Sequence, residues 1–212
     1  LDSNYVEAWY KKGIAFNASG KYDEAILAYD EAIYSYNRST WQGPDLEWIF
    51  LNKGLALAAQ GKYEDAVQAY DEAITLDSEY VDAWNNKAIA LNALGKYDEA
   101  TLAYDEAILA YNRSCSQDLE LEQLWNNKGL ALAAQGKYED AIQAYDMAIM
   151  LDANYVDALN NKYALLENLK TKSPEKDLEL AKRWNNDGLA HLAKGEYDKA
   201  IQCFNRAIDL YP

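Results

Sequence analysis

One phrase recurs along this chain of 212 residues, and its spacing constrains the fold more than any other feature. The phrase reads NNKG-L-AL-A-GKY-DA---YD-AI, where each hyphen stands for a variable position. Its copies are anchored at Gly13, Gly54, Ala88, Gly129 and Gly188, with a partial copy at Tyr163. The intervals between the six anchors are 41, 34, 41, 34 and 25 residues. Such a period predicts a stack of small supersecondary units, because one unit alone cannot bury its apolar face.

Within each copy, small and aromatic residues alternate at fixed offsets. The third copy places them at Trp84, Ala88, Gly95, Tyr97, Ala100, Tyr104 and Ala107. The whole chain has only 10 Gly and 3 Pro, a composition that favours helices over strands. We expect the small residues to lie where two helices approach closely and the glycine to form the turn between them.

This pattern resembles that of the tetratricopeptide repeat (TPR) family, and the resemblance covers nearly the whole chain. It implies an all-α fold, a right-handed αα superhelix of antiparallel helix pairs with about eleven helices. It also implies that the chain binds a protein or peptide, is not an enzyme and needs no cofactor.

The intervals of 41 residues each carry seven extra residues, so the true period is a pair of repeats, 75 residues long. We expect each insertion to lengthen a loop and to add a turn to the following first helix. The interval of 25 residues is short by about one second helix and its turn. Tyr163 stands there at a position that is otherwise Gly or Ala, which indicates that no partner helix approaches it.

The domain organisation follows from that deletion. Residues 1–170 are expected to form four repeats closed by a single capping-like helix, and residues 171–212 a final helical hairpin. The hairpin either continues the stack at a changed angle or docks elsewhere, for example on a symmetric partner chain.

In the TPR family the first helix of each repeat lines the concave face, and this implies where a ligand would lie. The positions that point there carry asparagines at Asn52, Asn86, Asn127 and Asn161, preceded by Asn85 and Asn126. One and two turns further on they carry Leu55, Ile89, Leu130, Asn17 and Asn92.

A carboxamide offers one acceptor and two donors, so a row of asparagines can hold an extended peptide by its backbone. The row is similar to the asparagine ladder of the TPR superhelix of O-linked N-acetylglucosamine transferase. That similarity implies peptide-backbone binding and no transferase activity. The alternative is structural, with each asparagine bonded to the neighbouring repeat to fix the register of stacking.

The charge restricts the partner. The chain has 20 Lys and Arg against 35 Asp and Glu, a net charge of −15, which disfavours nucleic acid and anionic membranes. We expect a neutral or basic protein or peptide. A carboxylate clamp of the kind found in chaperone adaptors is disfavoured, because the matching positions lack its Lys and Arg. The alternative function is a structural spacer, or a scaffold that associates with itself through exposed terminal repeats or the final hairpin.

No motif for catalysis or metal binding is present, since His191 is the only histidine and the cysteines, Cys115 and Cys203, are isolated. Lysines precede the small position in successive copies, and their ammonium groups are expected to meet acids of the next helix. The isolated cysteines indicate that the fold does not depend on an oxidising compartment, and a cytoplasmic protein is expected. Export is the alternative if the Asn-x-Ser sequons at Asn17, Asn37 and Asn112 are used. The chain begins in the middle of a repeat, which suggests a piece of a longer array.

Overall fold

The chain folds into α-helices. The computed structural model describes residues 4–38, 46–113, 120–170 and 174–210, and within these ranges it contains eleven helices and no strand. The expected all-α fold of about eleven helices is therefore confirmed. The helices are α1 Asn4–Ala18, α2 Tyr22–Arg38, α3 Leu46–Ala59, α4 Tyr63–Leu76, α5 Val81–Ala93, α6 Tyr97–Arg113, α7 Leu121–Ala134, α8 Tyr138–Leu151, α9 Val156–Lys170, α10 Pro174–Ala193 and α11 Tyr197–Leu210.

The chain divides into two compact units, residues 1–158 and residues 159–212, with the division inside α9. Unit 1 contains four helix pairs, α1/α2, α3/α4, α5/α6 and α7/α8, each a first helix followed by a second. Unit 2 contains most of α9 with α10 and α11. The domain boundary expected after residue 170 stays a prediction.

Each turn inside a helix pair is closed by a glycine with a positive φ. Gly61, at φ +77°, follows the end of α3. The backbone N–H of Lys62 then donates to the carbonyl of Leu57 over 3.0 Å. This is the hydrogen bond of a Schellman motif, which satisfies a carbonyl at the end of the helix and turns the chain back. A residue with a Cβ rarely adopts this φ, which explains why the phrase has Gly here.

The small position of the phrase faces an aromatic ring of the same repeat. A Cβ added at Gly54 would lie 2.4 Å from Cε1 of Tyr70, and one added at Gly129 would lie 2.5 Å from Cε1 of Tyr145. Both rings are fully buried. The glycine therefore leaves room for the tyrosine ring of the second helix. The small residue and the aromatic residue of the phrase are thus the two sides of one contact between the helices of a repeat.

The seven-residue insertions lengthen a different helix from the one expected. The second helices that precede them, α2 and α6, each have 17 residues, whereas α4 and α8 have 14. The first helices that follow, α3 and α7, have 14 residues against 13 in α5. The predicted extra turn thus lies at the end of the second helix. The inserted residues 39–45 and 114–119 lie outside the described ranges.

In unit 2, α9 is followed by α10, which carries Trp184 of the last copy of the phrase. The ring of Tyr163 stacks on the buried indole of Trp184, with ring centroids 4.1 Å apart and planes 20° apart. Its hydroxyl lies 3.2 Å from Sγ of Cys203 on α11. The large side chain at the small position thus contacts the first and second helices of the final hairpin.

Two ion pairs add to this contact. Nζ of Lys162, whose side chain is only 5% exposed, lies 2.6 Å from a carboxylate oxygen of Asp187 on α10. Arg206 of α11 pairs with Glu167 of α9 over 2.5 Å. Its guanidinium also lies 5.2 Å from the ring centroid of Trp184. Asp187 occupies the lysine position of the phrase, so the charge is reversed where α9 replaces a full repeat.

Candidate peptide-binding face

The first helices of unit 1 form its inner face. Successive first helices contact one another in the pairs α1–α3, α3–α5 and α5–α7. Within the described ranges, no contact of similar extent joins successive second helices. Since helices on the inside of a bend lie closer together than those on the outside, unit 1 curves with its first helices inside. We call this the first-helix face.

A row of apolar side chains is exposed on the first-helix face. It consists of one residue per repeat, at the position directly after the small residue. Ile89 and Leu130 are each 43% exposed, and Ile14 is 41% exposed. Leu55, at the same position of the second repeat, is half-buried. These four side chains are therefore partly or largely accessible to solvent, and their role in binding a ligand stays a prediction.

The asparagines of the ladder lie one turn before this row and are half-buried. Nδ2 of Asn86 donates to the carbonyl of Asp82, four residues earlier in the same helix, over 2.8 Å. Nδ2 of Asn52 donates likewise to the carbonyl of Trp48 over 2.9 Å. Because a carbonyl can only accept, the nitrogen of each amide must face its own helix. No described residue donates to the Oδ1 atoms of Asn52 and Asn86, so both remain able to accept a hydrogen bond.

Asn52 also connects neighbouring repeats. Its Nδ2 lies 3.2 Å from the hydroxyl oxygen of Tyr10 on α1, which accepts a second hydrogen bond from this amide. Burial raises the pKa of Tyr10 above its ordinary value, so the hydroxyl keeps its proton. This role of Tyr10 was not predicted from the sequence. The signal was available, because the first copy of the phrase reads Tyr-Lys where the second reads Leu-Asn and the later ones read Asn-Asn.

The remaining predicted site residues occupy three different surroundings. Asn85 and Asn126, each 4% exposed, lie below the surface. Asn92 is half-buried, and its Nδ2 lies 3.4 Å from the hydroxyl of Tyr104. Asn127 is half-buried, and its Oδ1 lies 3.5 Å from Nδ2 of Asn126.

Two further acceptors lie on α5, since the Oδ1 atoms of Asn85 and Asn92 are buried and accept no hydrogen bond from the described residues. Asn17 is half-buried on α1. Asn161 belongs to unit 2, and its position relative to the other asparagines stays a prediction.

Comparison with known sequences decides the family. A sequence model described as "Tetratricopeptide repeat" matches residues 1–44 and 51–118, and a second model of the same description matches residues 123–155 and 181–212. The chain belongs to the tetratricopeptide repeat family. Residues 156–180, which the two models leave unmatched, contain α9 and the start of α10. This gap coincides with the repeat that lacks a second helix.

Solved structures of similar fold agree with the TPR assignment. One titled "Crystal structure of MamA protein" is 19% identical, with a TM-score of 0.63, and the match covers 99% of this chain and 93% of the other. MamA from Desulfovibrio magneticus RS-1 is 17% identical, with a TM-score of 0.60, over 99% and 97% of the two chains. BtubC from P. vanneervenii is 20% identical, with a TM-score of 0.60, over 93% and 76%. At these identities the likeness concerns the fold. No curated protein matches this chain.

Membership of the TPR family makes this chain a protein-interaction scaffold. TPR proteins bind protein partners and are generally not enzymes. In the part of the chain that the structure describes, none of the helices has the length and apolar character needed to cross a bilayer.

The lysines of the phrase tie neighbouring TPR units together. Nζ of Lys53 lies 2.6 Å from Asp30, Nζ of Lys87 lies 2.5 Å from Asp71, and Nζ of Lys128 lies 2.6 Å from Asp105. In each pair a first helix is joined to the second helix of the preceding repeat. The expected contact with acids is confirmed. For these three lysines the acid lies on the preceding helix, whereas Lys162 pairs with Asp187 on the next helix. These cations are therefore paired within the stack.

Proposed function

We propose that unit 1 holds an extended segment of another protein on its first-helix face. The asparagine oxygens accept hydrogen bonds from the backbone N–H groups of the segment, and its apolar side chains contact the row of Leu55, Ile89 and Leu130. The observation that carries this proposal is the orientation of Asn52 and Asn86. Their amide nitrogens are satisfied by carbonyls of their own helices, which leaves the acceptor oxygens for a ligand.

The chemistry of the site suits a segment read mainly by its backbone. Every non-proline residue of an extended chain offers one N–H donor, and Asn52 and Asn86 offer the same acceptor on neighbouring first helices. The apolar row adds an interaction that is not specific for one residue type. The net charge of −15 favours a neutral or basic segment. No catalytic group or cofactor takes part in this function.

The test uses an array of random-sequence peptides and three forms of the full chain. We expect the wild type to capture a subset of peptides and the variant Asn52→Ala/Asn86→Ala/Asn127→Ala to capture fewer of them, with affinities at least about tenfold lower. The matched control is Asn37→Ala/Asn112→Ala, which makes the same change at exposed asparagines of second helices. The control should bind like the wild type, and thermal melting should confirm that all three forms are folded.

A second experiment asks which group of the peptide is read. A captured peptide is made again with N-methyl groups at alternate residues, which removes the backbone donors and keeps the side chains. Loss of binding supports the proposal. Full retention would show that the asparagines do not accept from the backbone and serve only the structure. In that case the self-associating scaffold, detected by light scattering without a ligand, becomes the better interpretation.

A further inference from the structure

We propose that the outer face of unit 1, formed by its second helices, is a separate docking surface for a basic amphipathic helix of a partner protein. The surface offers two equivalent positions, one on α2 and α4 and the other on α6 and α8. This face lies on the opposite side of the helix pairs from the first-helix face.

Exposed leucines mark the two positions. Leu27 on α2 and Leu102 on α6 are each 65% exposed and lie 75 residues apart. Seven residues further on, two turns along the same helices, Tyr34 and Leu109 are 56% and 44% exposed. Each of these second helices therefore presents two apolar side chains on one face, with a pair of acids between them, Asp30 and Glu31 on α2 and Asp105 and Glu106 on α6. The intervening helix α4 carries Gln68 at the position of the leucine, so the apolar pair recurs in alternate repeats.

A cleft lies beside each of these helices. The first is bounded by α2, α3 and α4, has a volume of about 770 Å³ and includes Leu27 in its lining. The second is bounded by α6, α7 and α8 and has a volume of about 640 Å³. The ion pair Lys53–Asp30 lies in the first cleft and the equivalent pair Lys128–Asp105 in the second. The two clefts are thus built from the same positions of the 75-residue period.

Both clefts carry an excess of negative charge. The first is lined by four carboxylates and two ammonium groups, and the second by three carboxylates and one ammonium group. Both ammonium groups of the first cleft already have partners, because Lys53 pairs with Asp30 and Lys62 lies 3.8 Å from Asp23. Asp65 and Glu72 make no ion pair with any described residue. The first cleft therefore has Asp65 and Glu72 as carboxylates beyond its ion pairs, and Asp140 is the equivalent of Asp65 in the second cleft.

These features select one kind of occupant. A helix with apolar residues two turns apart can contact the exposed pair Leu27 and Tyr34, or the pair Leu102 and Leu109, which have the same spacing. Lys or Arg on the flanks of that helix would meet the excess carboxylates of the cleft. A second copy of this chain does not fit, because its own net charge is −15 and like charges repel. A basic amphipathic helix satisfies both the apolar and the electrostatic requirement.

The test measures stoichiometry with a defined probe. The probe is an amphipathic peptide of Leu and Lys, about 18 residues long so that a helix can form, and its counterpart has Glu in place of Lys. We expect calorimetry to find two Leu/Lys peptides bound per chain and no binding of the Leu/Glu peptide. Leu27→Glu should leave one bound peptide, and Leu27→Glu/Leu102→Glu none. Because the added carboxylates would attract a basic peptide, a loss of binding in these variants shows that the apolar contact with the leucines is required.

Two control variants distinguish binding at this surface from binding driven by charge alone or by the first-helix face. Gln68→Glu/Gln143→Glu adds the same charges on the other wall of each cleft and should still bind two peptides. Ile89→Ser/Leu130→Ser alters the first-helix face and should also bind two. The proposal is overturned if the wild type binds no peptide, if the Leu27/Leu102 variant still binds two, or if the Ile89/Leu130 variant loses them. The experiment with the peptide array uses different variants, so either proposal can fail without the other.

Discussion

At the residue scale, the small position of the phrase carries different residues against the buried aromatic ring in different repeats. Gly54 and Gly129 leave no room for a Cβ beside their tyrosines, yet the third repeat carries the buried Ala88 there. Tyr104, the aromatic of that repeat, accepts a hydrogen bond from Asn92. The hydroxyl of Tyr29 in the first repeat is buried without a partner among the described residues. Equivalent positions therefore contribute unequally to stability.

A turn glycine provides the simplest prediction at this scale. Gly61 has a φ of +77°, and nothing lies within 4 Å of the place where a Cβ would be. Gly61→Ala therefore has a conformational cost without a steric clash, about 1–2 kcal/mol for an L residue in this region. The lower entropy of the unfolded chain offsets part of it. We expect the free energy of unfolding to fall by about 1 kcal/mol in chemical denaturation. Gly61→Asn should lose less, because Asn tolerates this region better, and an equal loss would contradict the explanation.

The final hairpin provides a prediction about pH. Nδ1 of the buried His191 lies 2.5 Å from Oε2 of Glu196, and this hydrogen bond is the main reason that the pKa of Glu196 falls below its ordinary value of 4.5. A carboxyl whose pKa is lowered by folding stabilises the folded state above the unfolded pKa, and this contribution is lost as the pH falls through the folded pKa. The wild type should therefore melt above Glu196→Gln at pH about 6, and the difference should shrink at pH about 3. A difference that is constant with pH would show that the carboxylate charge is not involved.

The sequence predicted backbone roles at this scale better than polar contacts. The turn role of Gly61 and the close approach at Gly54 follow from the repeat pattern alone, because few residues satisfy those steric demands. The orientation of the Asn52 amide could not be predicted. The carbonyl of Trp48 fixes it, and the amide nitrogen also contacts Tyr10, which lies 42 positions earlier and is adjacent only after the repeats have stacked.

At the element scale, the short interval before the last copy was the informative departure from the repeat. The missing second helix and the bulky Tyr163 at a small position are both visible in the sequence. Both follow from the loss of the second helix in that repeat. The reversed charge at Asp187 was equally visible but was not connected with Lys162. Its meaning depends on which helix replaces the absent one, and the periodic pattern does not contain that information.

The contact of α9 with α10 and α11 is open to a direct test. The variant Tyr163→Ala loses the stack on Trp184 and the contact with Cys203, which we expect to lower stability by about 3 kcal/mol. Hydrogen exchange followed by mass spectrometry should show faster exchange in α10 and α11. Tyr163→Phe keeps the stacked ring and removes only the hydroxyl, so it should remain close to the wild type. Unchanged protection in the alanine variant would show that the ion pairs Lys162–Asp187 and Glu167–Arg206 hold α9 without the ring.

At the scale of the whole molecule, the 75-residue period links the length of a second helix to the side chains that it exposes. The insertions lengthen α2 and α6, and the same two helices carry the exposed Leu27 and Leu102. The period therefore places longer second helices with an exposed leucine in alternate repeats. The 34-residue unit of the family would not predict this alternation. The net charge of −15 is spread over the same array, so every association of the molecule should depend on salt.

The sign of that dependence separates the two functions that the sequence left open. Binding of a basic peptide depends on attraction between unlike charges, which weakens as the screening length falls from about 10 Å at 0.1 M salt to about 3 Å at 1 M. Contact between copies of this chain opposes like charges, so salt should strengthen it. We expect light scattering at low salt to give the mass of one chain, 24.0 kDa, while the affinity for the Leu/Lys peptide falls at least tenfold over that range of salt. Association of the chain alone that is strongest at low salt would contradict this, since it would require complementary charges on two faces of the array, and the self-associating scaffold would then be favoured.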